Sequence, residues 1–552
     1  MKRVWLVTLF LATVVLIPPH AASVPLQPRI LDKLTEYERL DAWIHLHTEA
    51  VKRGMGSLPT RGPVLTAERP KATVRVVALL VSFPDHPPLP AYTLERYQRS
   101  LFKRSGKKGG SVAALYAMLS DEALDLQGDV FGWFDLPHNL DHYAAGRAGT
   151  GDYPRNMQGL VEDAIGVSDG VSFGEYDTFA PETAGGDGVV DILVVIHSTR
   201  GTETSGNVTD LWSHSGSLPA PVEIGGVRIT HYIVAPVEAP VGILAHEVAR
   251  VLGAPDLSDP AYRWSGLGDW SLMGSGLWGG GGGENPALPD AYSRTHLGLT
   301  QPVDVAGELI GVDLGCGQRP PPVFRLYPGG TPGPEYFLVE CRHRFRFDQR
   351  LPGEGVLVYH VDERVPDNRF FSCGPGGLHA RVTVEQADGL CELEARKRAE
   401  ANDLWARLEG TRFVAKDFDD FAASSSHDYE GERTGVAVRR LRTQNETFVA
   451  DLFVDLPPDP ERIPGVFAEV DTSAPGGAVA TIYIQIPQPG QPRLLVRTME
   501  GEVVWEGEIP LAQPGRHPYR WDPSQAGVEA RGIYFVEVQT PNWWDVCRIV
   551  FP

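Results

Sequence analysis

The chain has 552 residues, 42% of them hydrophobic, and a formal net charge of -21, which is too long for one core and suggests roughly three or four domains. So acidic a surface would repel a phosphate backbone; a nucleic-acid partner is excluded, and calcium or a cationic surface suits the chain better. Five cysteines (Cys316, Cys341, Cys373, Cys391, Cys547) contain no C-x-x-C pair of the structural zinc kind and fit an oxidising compartment. The first four can form two disulfides, leaving Cys547 as a buried thiol.

Residues 1–23 show a basic start, an apolar run over 4–17 and small residues at Ala21 and Ser23, the pattern of a secretory signal peptide cut after Ser23. An uncleaved anchor is the rival reading, but the run is shorter than the ~20 residues a bilayer requires. No other segment is apolar enough to span a membrane. Residues 29–55 have helical apolar spacing (Ile30, Leu31, Leu34, Tyr37, Leu40, Trp43, Ile44) and lead into a Gly/Pro-rich stretch, so 24–71 is expected to be a pro-segment or N-terminal helix with a linker.

The β-branched run ATVRVVALLVSF (72–83) predicts a buried strand, helical patterns follow at 92–102 and 111–120, and DILVVIHS (191–198) predicts a second buried strand. This alternation suggests an α/β catalytic-type domain over 72–303. Beyond it EYFLVECR, GVLVYHVDE, ARVTVEQADG and ETFVADLFVDL predict a β-rich domain over 304–456, with a helix expected only in the charged stretch 392–409. A Pro-rich linker (457–464) precedes short strands (ATIYIQI, RLLVRTM, EVVWEGEI, GIYFVEVQ) that fit a β-sandwich over 465–552.

The chemistry lies in GILAHEVARVLGAPDL. A helix would put His246 and position 250 one turn apart on one face, the spacing at which zinc proteases place two histidines, with Glu247 between them as the group that polarises water. Gly253 lets the chain turn so that Asp256 offers a third, oxygen ligand, and Met273 in SLMG could supply a methionine turn beneath the site. Position 250, however, is arginine. A guanidinium stays protonated and has no lone pair to give, so the ligand set falls to two and a fixed positive charge faces the place of the dication. Arg250 could instead substitute for the metal by pairing with Asp256 or Glu247. His231, on an apparent strand, is the candidate that could rescue a metal.

These segments resemble the immune inhibitor A family of secreted bacterial metallopeptidases, whose pattern is H-E-x-x-H-x-x-G-x-x-D. The resemblance covers 72–456 and includes DGVVDILVVIHSTRGTETSG, LWSHSG, DWSLMGSGLW, PALPDAYSRTHLGL, EYFLVECRHRFRFDQRLPGEGVLVYHVDE and VEQADGLCELE. It implies a metzincin-like fold with a β-rich region after it, His246 and Asp256 as zinc ligands and Glu247 as general base. It also implies a calcium loop, of which Asp177, Asp187 and Asp191 remain; a plain Asp-Gly turn before the strand is the alternative. The end of the chain is similar to the small immunoglobulin-like domain of flagellar hook-capping proteins, a module for surface attachment or a passive spacer.

The sequence therefore predicts a secreted or cell-surface protein of metalloprotease descent with a degenerate zinc site, binding a peptide, protein or surface through the old cleft. The alternative is an active or weakly active zinc endopeptidase using a rearranged site.

Overall fold

The computed structural model describes residues 24–551 except 37–39, 54, 56–57, 59–61, 105–109, 180–184, 260, 319, 370–378, 411, 421, 423, 445–446, 457–464, 472–477, 487–490, 500, 509–514, 530 and 540–543. The signal peptide expected at 1–23 and the linker expected at 457–464 lie outside the described residues.

The apolar runs of the first domain fold as β1 (Ala72–Ser82) and, further on, β3 (Ile192–His197); β2 (Leu124–Asp135), β4 (His214–Ile224) and β5 (Val227–Pro236) complete one five-stranded sheet in the order β2-β1-β3-β5-β4. Pairing is parallel except for β4, which runs antiparallel to β5 at the edge. Because successive residues of a strand point to opposite faces, β1 feeds two cores. Val74, Val76, Ala78 and Leu80 pack with the helices Leu94–Phe102, Val112–Leu119 and Val241–Leu252. Val77, Leu79 and Val81 pack with the helix Met157–Val167 and the N-terminal helix Pro28–Glu36. Thr93 and Ser111 accept backbone N–H bonds at the starts of the first two helices, which explains why those boundaries were readable.

The β-rich domain contributes β6 (Val303–Asp304), β7 (Glu308–Asp313), β8 (Val323–Leu326), β9 (Glu335–Arg342), β10 (Gly355–Asp362), β11 (Val382–Val384), β12 (Ala406–Glu409), β13 (Arg412–Ala415), β14 (Ala437–Gln444) and β15 (Thr447–Phe453). They form a seven-stranded and a three-stranded sheet around one core. Cys316 and Cys341 are joined by a disulfide, Cys391 is also disulfide-bonded, and Cys547 is a buried thiol; Cys373 lies outside the described residues. The helix expected at 392–409 does not form. Cys391 and Arg396 take left-handed φ values of 52° and 62°, which break any helix there, and the segment ends in β12.

The last region holds a three-stranded and a four-stranded sheet, whose inward residues, among them Ile482, Ile484, Val496, Val536 and Ile549, share one core. Buried ionic groups join the first region to the second: Arg294 pairs with Glu340, and Arg342, held by Asp348 at 2.7 Å and Glu340 at 3.3 Å, donates to the Trp270 and Leu288 carbonyls.

Candidate metal-binding helix and its cleft

The helix Val241–Leu252 is buried on every side, so its polar residues His246, Glu247 and Arg250 are all held in the interior. It stops at Gly253, whose φ of 115° is strained for any residue with a Cβ, and whose N–H caps the carbonyls of Ala249 and Arg250. The chain thereby reverses and brings Asp256 back beside the helix.

Below the helix lies the turn at Ser271–Gly274. His246 Nδ1 is 3.0 Å from the Leu272 carbonyl oxygen, so this nitrogen carries the proton and Nε2 keeps the lone pair. Nε2 is buried with no hydrogen-bond partner. The Met273 N–H donates to Ser271 Oγ at 2.9 Å, that hydroxyl donates to Asp290, and the Met273 carbonyl accepts the Leu257 N–H at 3.0 Å. One backbone turn thus orients His246 from one side and holds the residue next to Asp256 from the other. Met273 itself is fully buried.

Glu247 is fully buried. Burial raises its pKa above the ordinary carboxylate range; the neighbouring His246 ring, the Arg250 charge and the Ser215 side chain pull it part of the way back, and Asp256 pushes it up. Asp256 Oδ1 accepts from the N–H and hydroxyl of Ser258, while Oδ2 is buried without a partner. Arg250, expected to pair with Glu247 or Asp256, acts on Glu247 through its charge.

Residues 24–27 run along this region in a way the sequence did not signal. The Val24 N–H donates to the Ser213 carbonyl and the Gln27 N–H to that of Glu203, while the indoles of Trp212 and Trp278 donate to the Val24 and Pro25 carbonyls. The Leu26 N–H reaches the Tyr262 hydroxyl at 3.1 Å. Val24, Leu26 and Gln27 are all buried, so the segment is a strap held mainly by its own backbone groups between the start of edge strand β4 and the Gly-rich loop after Trp278.

Against known families, residues 69–299 match the model described as immune inhibitor A peptidase M6, catalytic domain. This segment is similar to the catalytic domain of the immune inhibitor A peptidases. The pre-pro-metalloprotease PrtV of Vibrio cholerae serotype O1 is 27% identical over 274 residues, which cover 41% of this chain and 30% of that protein. Immune inhibitor A of Bacillus thuringiensis subsp. alesti is 28% identical over 223 residues, 34% of this chain and 32% of that protein. The chain spans less than a third of the length of these curated relatives.

A likeness to metallopeptidases implies a metal, and the donors of this segment decide whether one fits. His246 Nε2 and Asp256 Oδ2 are free to coordinate, but the next position on the helix face is Arg250, and no group of three ligand side chains within reach of one ion includes either residue, among the described residues. Two donors beside a guanidinium do not fit a zinc site, which takes three or four protein ligands. His231 does not complete the set: it sits half-buried on β5, with Nδ1 3.3 Å from Ser217 Oγ, outside any such group.

The aspartates considered for calcium are occupied by the backbone. Asp177 accepts the N–H groups of Asp187 and Gly188, Asp187 that of Val189, and Asp191 those of Arg75, Thr178 and Phe179. Among the described residues no three-ligand group includes them. These contacts are those an Asp-Gly turn makes, and residues 180–184 of the same loop lie outside the described residues.

Proposed function

We propose that this chain is a secreted or cell-surface protein of metallopeptidase descent that has lost its zinc and uses the old cleft to bind an extended peptide or protein segment. The observation that carries this reading is Arg250 at the one-turn position from His246. It removes a ligand while leaving the rest of the apparatus, the Leu272-oriented histidine, Glu247 and the turn at Met273, in place. Retention of an extended-chain site is supported by the strap at 24–27, which makes five main-chain contacts to the region beside the helix in the manner of a bound peptide.

No step through a metal is derived for this site. What the chain's own residues do is hold a buried carboxylate, Glu247, and a buried guanidinium, Arg250, on one helix face. In the same reading the fold is metzincin-like, residues 24–71 act as a pro-segment, and the last β-sandwich is immunoglobulin-like and serves as spacer or surface attachment.

The test is casein and mixed-peptide hydrolysis by purified protein with added zinc, beside Glu247→Ala. We expect no turnover above the variant. Turnover by the unaltered protein that Glu247→Ala abolishes would establish the other reading, an endopeptidase with a rearranged site.

A further inference from the structure

Outside the helix site, one group of three acidic side chains is gathered closely enough to share an ion, among the described residues. Asp388, Glu392 and Glu400 each offer a carboxylate oxygen, and these atoms all lie within 4.8 Å of one another. Oxygens bound to one calcium ion at 2.3–2.6 Å are separated by at most about 5 Å, so this spacing permits a common ion.

Acidic residues often gather without a ligand, so the partners of each oxygen matter. Asp388 is 3% exposed; one of its oxygens accepts the Leu390 N–H and the other, Oδ2, is buried with no partner. Glu392 Oε1 is 3.1 Å from Lys397 Nζ, and Oε2 is buried without a partner. A fourth carboxylate stands beside them. Asp403 is 1% exposed; its Oδ2 accepts the Trp270 indole N–H at 2.7 Å and the Glu400 N–H at 3.0 Å, while Oδ1 has no partner.

Three cations stand near this group: Lys397 holds one oxygen of Glu392, and Lys416, which also donates to the Ala387 carbonyl, and Arg407 act on Asp388 through space.

We propose that Asp388, Glu392 and Glu400 form a calcium site in the loop 385–403 of the β-rich region, next to Asp403, which ties this loop to Trp270 of the peptidase-like region. The all-oxygen donor set selects a hard cation over zinc, and the mixed burial and irregular loop suit calcium better than the strict octahedron of magnesium. The consequence is mechanical. Asp403 grips Trp270, which immediately precedes the turn that orients His246, and Arg398 of the same loop pairs with Asp269 at 2.9 Å. An ion here would fix both contacts at once.

The experiment is titration of the full chain with calcium chloride after EDTA treatment, read by calorimetry and by thermal melting, alongside Asp388→Asn and Asp187→Asn. One calcium per chain should bind and raise the melting temperature. Asp388→Asn should weaken binding by about tenfold or more, since it removes a charged ligand, and Asp187→Asn should leave binding unchanged. In EDTA, Asp388→Asn should melt no lower than the unaltered protein, because it relieves repulsion and keeps the acceptor for Leu390. The proposal is overturned if calcium has no effect, if Asp187→Asn rather than Asp388→Asn removes the effect, or if Asp388→Asn is already destabilised in EDTA.

Discussion

Glu203 offers a quantitative check on how the strap region is held. It lies in the short helix Thr202–Ser205 with its side chain fully buried, Oε1 accepting the Ser213 hydroxyl at 2.6 Å and Oε2 the Ser213 N–H at 3.2 Å. Burial pushes its pKa from 4.5 up to about 7, against the lowering effect of the Ser213 donors and with a further push from Glu238. For an acid whose folded pKa is raised, the folded state keeps a proton that the unfolded chain has lost. Stability is therefore highest below pH 4.5, falls as pH rises from 4.5 to about 7, and is level above that. At 1.36 kcal/mol for each pH unit in that window, the ionised carboxylate costs about 3 kcal/mol at pH 8. Glu203→Gln removes the ionisation yet keeps both contacts, since an amide can accept the Ser213 N–H and donate to its hydroxyl. Urea unfolding of the peptidase domain, followed by tryptophan fluorescence from pH 4.5 to 8, should show the variant more stable by up to about 3 kcal/mol at pH 8, with the difference vanishing near pH 4.5. A variant less stable at pH 8, or a difference that does not grow across this range, would refute the reasoning.

Arg342→Leu should destabilise the chain by about 3–5 kcal/mol in urea, because it leaves Glu340 and Asp348 buried with one cation fewer and frees the Trp270 and Leu288 carbonyls; a change under 1 kcal/mol would show the network to be wet. Replacing Cys316 and Cys341 together by serine opens a loop of 25 residues and should cost about 3 kcal/mol. An unchanged unfolding midpoint in the oxidised protein would place that constraint elsewhere.

The strands that run through the middle of the first sheet were legible because they are buried on both faces and read as unbroken apolar runs, as β1 and β3 do. β2 and β4, at the two sheet edges, have largely half-buried or exposed residues and gave no such signal. The helix carrying His246, Glu247 and Arg250 was readable from the one-turn spacing alone. The partner that sets the histidine's tautomer was not, because it is a main-chain carbonyl at Leu272, 26 positions away, and a carbonyl has no residue type. The misread helix at 392–409 has the opposite cause: its composition favours a helix, but Asp403, Leu404 and Trp405 are drawn into the core by long-range contacts that composition does not carry. The strap at 24–27 escaped notice because four residues are too few to show a period, and what holds it is its backbone.

The central claim is that Arg250 alone separates this site from a zinc centre, and elemental analysis of zinc after dialysis tests it most directly, made side by side on the unaltered protein and Arg250→His. The account predicts well under one zinc per chain for the first and close to one for the second, with His246, the new histidine and Asp256 as ligands. A full equivalent in the unaltered protein would contradict the loss of the metal. A well-folded Arg250→His that takes up none would show that His246 and Asp256 do not converge on a common ion.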